Sequence, residues 1–156
     1  IEINKLYRRI KLLLRFEIIK HLKNKYKEKF NLFGDDWNKY YKDALKSDYN
    51  IKNNINRYKG NICLDLGCIE GSSSLYSRSN QIIESGGIIV QSEQMDSSEK
   101  FKHLKDDIVF NNFIQLDRIF EKILNDYLFA KRILEKINAH FSNSNRNVEQ
   151  ELKKYF

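Results

Sequence analysis

The sequence predicts an α/β fold, a parallel sheet with helices on both faces and a basic helical extension at the N-terminus. Three observations carry that expectation. Short apolar runs alternate with stretches of helical periodicity, the pattern of a parallel sheet covered by helices. A glycine-bearing loop follows the first of those runs directly. The length, 156 residues, suits one domain with a core rather than two.

Each element has its own justification. In residues 2–30, Leu6, Ile10, Leu13, Leu14, Ile18, Leu22 and Tyr26 recur at steps of one, three or four. Arg8, Arg9, Lys11, Arg15, Lys23, Lys25 and Lys27 surround them, which predicts one amphipathic basic helix. Two readings of that helix stand level, that its stripe packs on the domain with its lysines solvated or that it lies along phosphates, and a membrane surface comes third. Asn31 to Gly34 interrupts the pattern, and Asp35 and Asp36 are placed to cap a second helix carrying Trp37, Tyr40, Tyr41, Ala44 and Leu45. Residues 47–58 predict a further short, polar helix. After the Lys59-Gly60 turn, Asn61 to Leu66 reads as a strand entering the glycine loop, and Ser72 to Ile83 as the helix that follows. Gly86-Gly87 ends it, Ile88 to Val90 is a second buried strand, and Ile108 to Phe110 a third. Leu116, Ile119, Phe120, Ile123, Tyr127, Ala130, Leu134 and Ile137 predict one long helix with a single apolar face. A fourth strand over Ile137 to Phe141 and a last helix over Val148 to Phe156 complete the reading. The extension is expected over residues 1–33 and the body over 34–156.

Charge separates the same two regions. The formal net charge is +7, and residues 1–30 hold ten Lys/Arg against three Asp/Glu while the remainder holds eighteen of each. A neutral body with a basic arm is the pattern of a protein that touches a polyanion through one segment, with nucleic acid the leading partner. Proline is absent where average usage of about 5% predicts roughly eight. The heavy use of Asn, Lys and Ile resembles an AT-rich coding sequence, a bias that by itself raises the lysine count. No apolar run approaches the roughly 20 residues that span a bilayer, so no integral membrane association is expected. Cys63 and Cys68 form a lone C-x4-C, which supports neither a disulfide framework nor a zinc knuckle. His21, His103 and His140 are scattered singly, and no metal site is expected. Trp37, Tyr40, Tyr41 and Tyr49 are candidates for base stacking, although their near-helical spacing equally suits a core.

The chemical centre is the loop Leu64-Asp65-Leu66-Gly67-Cys68-Ile69-Glu70-Gly71-Ser72-Ser73. At the carboxyl end of a first strand, glycine lets backbone pass close to a ligand. The spacing Asp65-x-Gly67-x-x-x-Gly71 is that of S-adenosylmethionine sites. Neither G-x-G-x-x-G nor G-K-[ST] is present.

From about Asp36 to Phe156 the chain resembles the FtsJ/RrmJ-like ribosomal RNA 2'-O-methyltransferases. The family's Y-x-K-x-A stands here as Tyr40-Tyr41-Lys42-Asp43-Ala44, and its R-S-R-A-x-x-K-L segment is similar to Lys46 to Asn53. Its D-L-G-x-x-P-G-G-W loop resembles Asp65 to Ser73, its G-x-I-I-x-x-D strand with M-D-P resembles Gly87 to Ser97, and its D-x-V-x-S-D strand resembles Asp107 to Asn112. The helix and strand ending in V-K-V-F are similar to Tyr127 to Phe141.

The resemblance implies a Lys-Asp-Lys-Glu catalytic group, and this chain departs from it. The first lysine corresponds to Lys52, the aspartate to Asn112, the second lysine to Ala139, and the glutamate falls past Phe156. A ribose 2'-hydroxyl is a poor nucleophile, and the lysine held by carboxylates manages its proton during methyl transfer. Asn112 and Ala139 bring no charge to that task. At the cofactor positions Asp65, Gly67 and Gly71 are kept, while Glu70 stands where the loop should meet the cofactor's own carboxylate. The acid for the adenosine ribose corresponds to Ser92, with Glu93 one step away as a substitute. About ten residues between Met95-Asp96 and Asp106 are too few for the family's third strand, hence a reduced Rossmann-like methyltransferase sheet. The resemblance therefore implies an inactive methyltransferase homologue that binds ribosomal RNA and ribosomal proteins as a structural component of an organellar, mitochondrial ribosome, with no cofactor. The alternative is an active S-adenosylmethionine-dependent rRNA 2'-O-methyltransferase whose remaining residues lie outside this sequence.

Overall fold

The computed structural model describes residues 2–34, 36–46, 50–67 and 73–152, with the backbone alone at 51, 52 and 143–152. The chain divides into two compact units, Ile1–Asn54 and Ile55–Phe156.

In the first unit α1 runs over Glu2–Tyr26 and closes in a 3-10 turn, Lys27–Lys29. Its buried residues are Ile18, Ile19 and Leu22, all in the second half of the helix. There Phe16 meets the edges of Trp37 and Tyr40 at centroid distances of 4.9 and 4.7 Å. The segment after α1 is not the expected second helix. It holds one 3-10 turn, Trp37–Lys39, and Phe33 bridges Leu45. The Gly34 N–H donates to the Leu45 carbonyl at 3.0 Å, and the Leu45 N–H to that of Leu32 at 2.8 Å. A helix over residues 36–45 would part its ends by about 15 Å, whereas bridged backbones lie about 5 Å apart. Asp36 does not cap: its carboxylate accepts from Lys39 at 2.8 Å. Gly34, at φ 145°, lets Trp37 fold over it, since a Cβ there would lie 2.6 Å from the indole Cδ1.

α2 (Ile51–Tyr58) occupies the later part of the expected 47–58 helix. The second unit then builds a three-stranded parallel sheet from β1 (Ile62–Asp65), β2 (Ile88–Ser92) and β3 (Val109–Phe110), in the order β1-β2-β3. Ile62 stands opposite Ile88 and Asp65 opposite Gln91; Gln91 in turn faces Val109. β2 is central and buried from Ile88 to Gln91, as a strand paired on both edges and covered by helices must be. Among the described residues no strand pairs with the outer edge of β1. The β1-to-β2 crossover is α3 (Ser77–Glu84), which buries Ile82 and Ile83 and ends at Gly86, φ 76°, a left-handed terminator that glycine adopts without cost. The β2-to-β3 crossover is α4 (Ser97–Phe101), a 3-10 turn over Lys102–Leu104 and α5 (Lys105–Ile108). Phe101, Leu104 and Ile108, fully buried, pin it to the core. The strands thus fall where the apolar runs predicted them, and the chain is mixed α/β with a small parallel sheet.

The C-terminal region departs from expectation three times, the last because residues 148–152, expected within a separate last helix, continue a helix that opens at Tyr127. The single long helix is two, α6 (Phe113–Asn125) and α7 (Tyr127–Leu152), parted at Asp126, whose backbone is extended at φ −125° and ψ 94°. The Asp126 carboxylate accepts from the Phe129 N–H at 2.9 Å, opening a new helix on its own cap. α6 buries Leu116, Ile119, Phe120 and Ile123; α7 buries Phe129, Ile133 and Ile137, and Tyr127 is 78% exposed. The face therefore changes phase at the break. The expected strand at 137–141 lies within α7. Phe141 continues the Ile133-Ile137 face in steps of four and meets Phe101 edge-on at 6.1 Å.

Candidate functional site

The described start of the loop after β1, Asp65 to Gly67, is held by its own chain. Asp65, the last residue of β1, is fully buried, and its carboxylate accepts from the Gly67 N–H (3.1 Å), the Tyr76 hydroxyl (2.5 Å) and the Ser79 hydroxyl (2.7 Å). Ser79 reaches it because α3 turns that position, in phase with Ile82 and Ile83, toward the core. Gly67 is buried at φ 72°, and a Cβ there would lie 2.6 Å from Nε2 of Gln94. Gln94 is in turn fixed: its amide donates to the Ser92 hydroxyl at 3.1 Å, and its N–H donates to the Ser97 hydroxyl at 2.8 Å. The space that glycine would open to a ligand is filled by the loop after β2.

Asp96 ties the same loops together. Its carboxylate accepts from the Ser74 N–H and hydroxyl, both at 2.6 Å, and from the Ser73 hydroxyl at 3.1 Å. Burial raises its proton affinity, but the Ser74 hydroxyl and N–H together with the Ser73 hydroxyl outweigh that and hold it below the ordinary carboxylate value. The buried Gln91 amide donates to the Ser74 carbonyl, and its Oε1 has no hydrogen-bond partner among the described residues. On β1, Cys63 is unbridged, and burial, then the charge of Asp65, push its thiol up to about 12. It is a protonated, structural cysteine at neutral pH.

Glu93 belongs to a different surface. It pairs with Lys105 at 2.5 Å and accepts from the Asn111 amide at 3.2 Å. The Lys105 and then the Asn111 hydrogen bonds hold its carboxyl below the ordinary value. These residues, with Gln115 and Arg118, line a shallow cleft of about 140 Å³ at the carboxyl ends of β2 and β3.

The other predicted positions have structural places. The Asn112 side-chain Oδ1 accepts from the Gln115 N–H at 2.9 Å and caps α6, while the Gln115 side-chain Oε1 accepts from the Asn111 N–H at 2.9 Å. Ala139 lies exposed on α7, and Lys52 in the first turn of α2, its side chain outside the described residues, as Gly71 and Glu70 are altogether. Asp65 and Gly67 are brought together; Glu93 takes its partners elsewhere. Sequence reasoning missed Tyr76, Ser79, Gln94 and Asp96. The one available signal was Ser79, a small polar residue on the helical face that carries Ile82 and Ile83.

On α1, Arg8 and Arg9 are exposed, and Lys11 and Arg15 partly so. The Lys11 ammonium lies 4.8 Å from the Tyr7 ring centre. Lys23 pairs with Asp43 and lies 5.6 Å from the Tyr41 ring, so its charge is used within the unit. Lys25 stands over Tyr26, and Lys27, at φ 48°, is exposed in the closing turn.

Fold and site define a mixed α/β protein with a small parallel sheet, in which Asp65 and Gly67 at the end of β1 are held by hydrogen bonds and contacts from within the chain. No protein-family model, curated protein or solved structure matches the chain.

Proposed function

We propose that this protein is a non-catalytic, RNA-bound structural component, of the ribosome by its resemblance to rRNA methyltransferases, and of the mitochondrial ribosome in particular. One observation carries the reading: the Asp65-Gly67 loop is closed by Gln94 and by the hydroxyls of Tyr76 and Ser79. A carboxylate spent on three internal donors does not offer itself to a cofactor, and a glycine covered by an amide does not admit one.

Three further features support it. Small-molecule and cofactor pockets occupy about 300–1,000 Å³, and the cleft beside Glu93 is smaller and is lined by the Glu93–Lys105 ion pair. Asn112 is engaged as a helix cap. Three parallel strands in consecutive order match one half of a doubly wound sheet, whose ligand crevice forms only where a second half reverses the strand order. In this reading the body is a reduced Rossmann-like methyltransferase sheet, and the basic side of α1, chiefly Arg8, Arg9, Lys11 and Arg15, meets phosphates.

Calorimetric titration with S-adenosylmethionine tests the reading. It expects no heat of binding at millimolar ligand, and co-sedimentation with ribosomal particles at low salt. Micromolar binding of S-adenosylmethionine would reinstate the active methyltransferase.

A further inference from the structure

The first half of α1 carries an apolar face that its own unit does not use. Ile3, Leu6, Tyr7, Ile10, Leu13 and Leu14 are each 52% to 82% exposed, whereas the apolar stripe of α6 (Leu116, Ile119, Phe120 and Ile123) is buried. At about 100° per residue these six fall within an arc of about 120°. The residues α1 buries, Ile18, Ile19 and Leu22, centre about 130° around the helix from that arc. The exposed stripe is therefore not a frayed continuation of the packed one; it faces another way.

Charge says what covers it. Residues 2–15 hold Lys5, Arg8, Arg9, Lys11 and Arg15 against Glu2. Lys11 borders the stripe on one side and Arg9 on the other, each about 100° from its centre, and Arg8 and Arg15 lie on the far side. A helix with an apolar arc bordered by cations on both flanks fits the plane of an anionic bilayer, its arc among the acyl chains and its flanking cations at the phosphates. A second copy fits less well, because pairing along the stripe sets two strongly cationic segments side by side on a contact only about two heptads long. Phosphates of RNA have no use for an apolar arc. We infer that the first half of α1 is an interfacial helix that docks this protein on an anionic membrane surface. Among the described residues no helix is long and apolar enough to cross a bilayer, and the inferred attachment is a peripheral one. This inference does not rest on the RNA reading: it uses the apolar arc and its borders, and Arg8 and Arg15 are turned away from the lipid.

Flotation of the whole chain with vesicles tests it, using phosphatidylcholine alone and phosphatidylcholine mixed equally with phosphatidylglycerol. The chain is expected to float with the mixed vesicles and not with the neutral ones. The variant Leu6→Ser/Ile10→Ser/Leu13→Ser, altered only at exposed positions, should keep its circular dichroism spectrum and melting temperature and lose at least about tenfold in partition. Its affinity for ribosomal RNA without vesicles should be unchanged, so failure of the RNA reading would appear separately, as absent RNA binding in both proteins. The inference is overturned if the native chain does not float with the anionic vesicles, or if the triple variant floats equally well. A concentration-dependent dimer that the variant abolishes, without vesicle binding, would assign the stripe to a second copy instead.

Discussion

Asp65 and Asp96 are the two carboxylates around which the end of the sheet is organised, and they act through hydrogen bonds rather than ion pairs. Gly67 sits between them in effect, since its lack of a side chain lets Gln94 close over the loop. Gly67→Ala would meet both a left-handed backbone and the Gln94 amide, and should cost about 1–3 kcal/mol in denaturant unfolding. Gly67→Ala/Gln94→Ala removes the collision and should recover part of that loss; equal stability of the two variants would refute the contact. Asp96 has its own signature. Its proton affinity is lowered in the folded protein from an ordinary value of 3.8, so its contribution is full above that pH and fades as acid protonates it below. Asp96→Asn should therefore lower the melting temperature at pH 6, with the gap to the native chain narrowing toward pH 3. A gap constant across that range would contradict the argument.

At the scale of the element, α1 illustrates how a stripe written in steps of four behaves. Each such step advances about 40° around the helix, so Leu6, Ile10, Leu14, Ile18, Leu22 and Tyr26 wind from one side to the other. What reads as one amphipathic face becomes an exposed arc in the first half and a packed one in the second. The helices at the C-terminus carry the complementary lesson. The spacing of Leu116, Ile119, Phe120 and Ile123 was legible, but the same template run on through Tyr127 and Leu134 because Asp126 is a cap that periodicity does not register. Ile133→Ala should cost about 2–5 kcal/mol, and Tyr127→Ala should stay within about 0.5 kcal/mol. A continuous helix with its face through Tyr127 would reverse the order. Strands were legible because β2, buried on both sides, must read as an unbroken apolar run. The segment 36–45 was not, because long-range backbone bonds between Phe33, Gly34 and Leu45 decide it.

At the scale of the molecule, charge and chemistry are separated. The second unit carries the sheet and the hydrogen-bonded Asp65-x-Gly67 turn; the first carries the helix in which the basic excess lies. The position of that loop was legible as Asp65-x-Gly67. Its closure was not, because Gln94 and Asp96 come from the next crossover and only the fold brings them to it. The proposed RNA contact is the basic side of α1. Its most direct test is the salt dependence of binding to a labelled ribosomal RNA fragment, followed by fluorescence anisotropy, for the native chain and for Arg8→Gln/Arg9→Gln/Lys11→Gln/Arg15→Gln. Losing four phosphate contacts should make the slope of log affinity against log salt shallower by about 3. An unchanged slope would contradict the account.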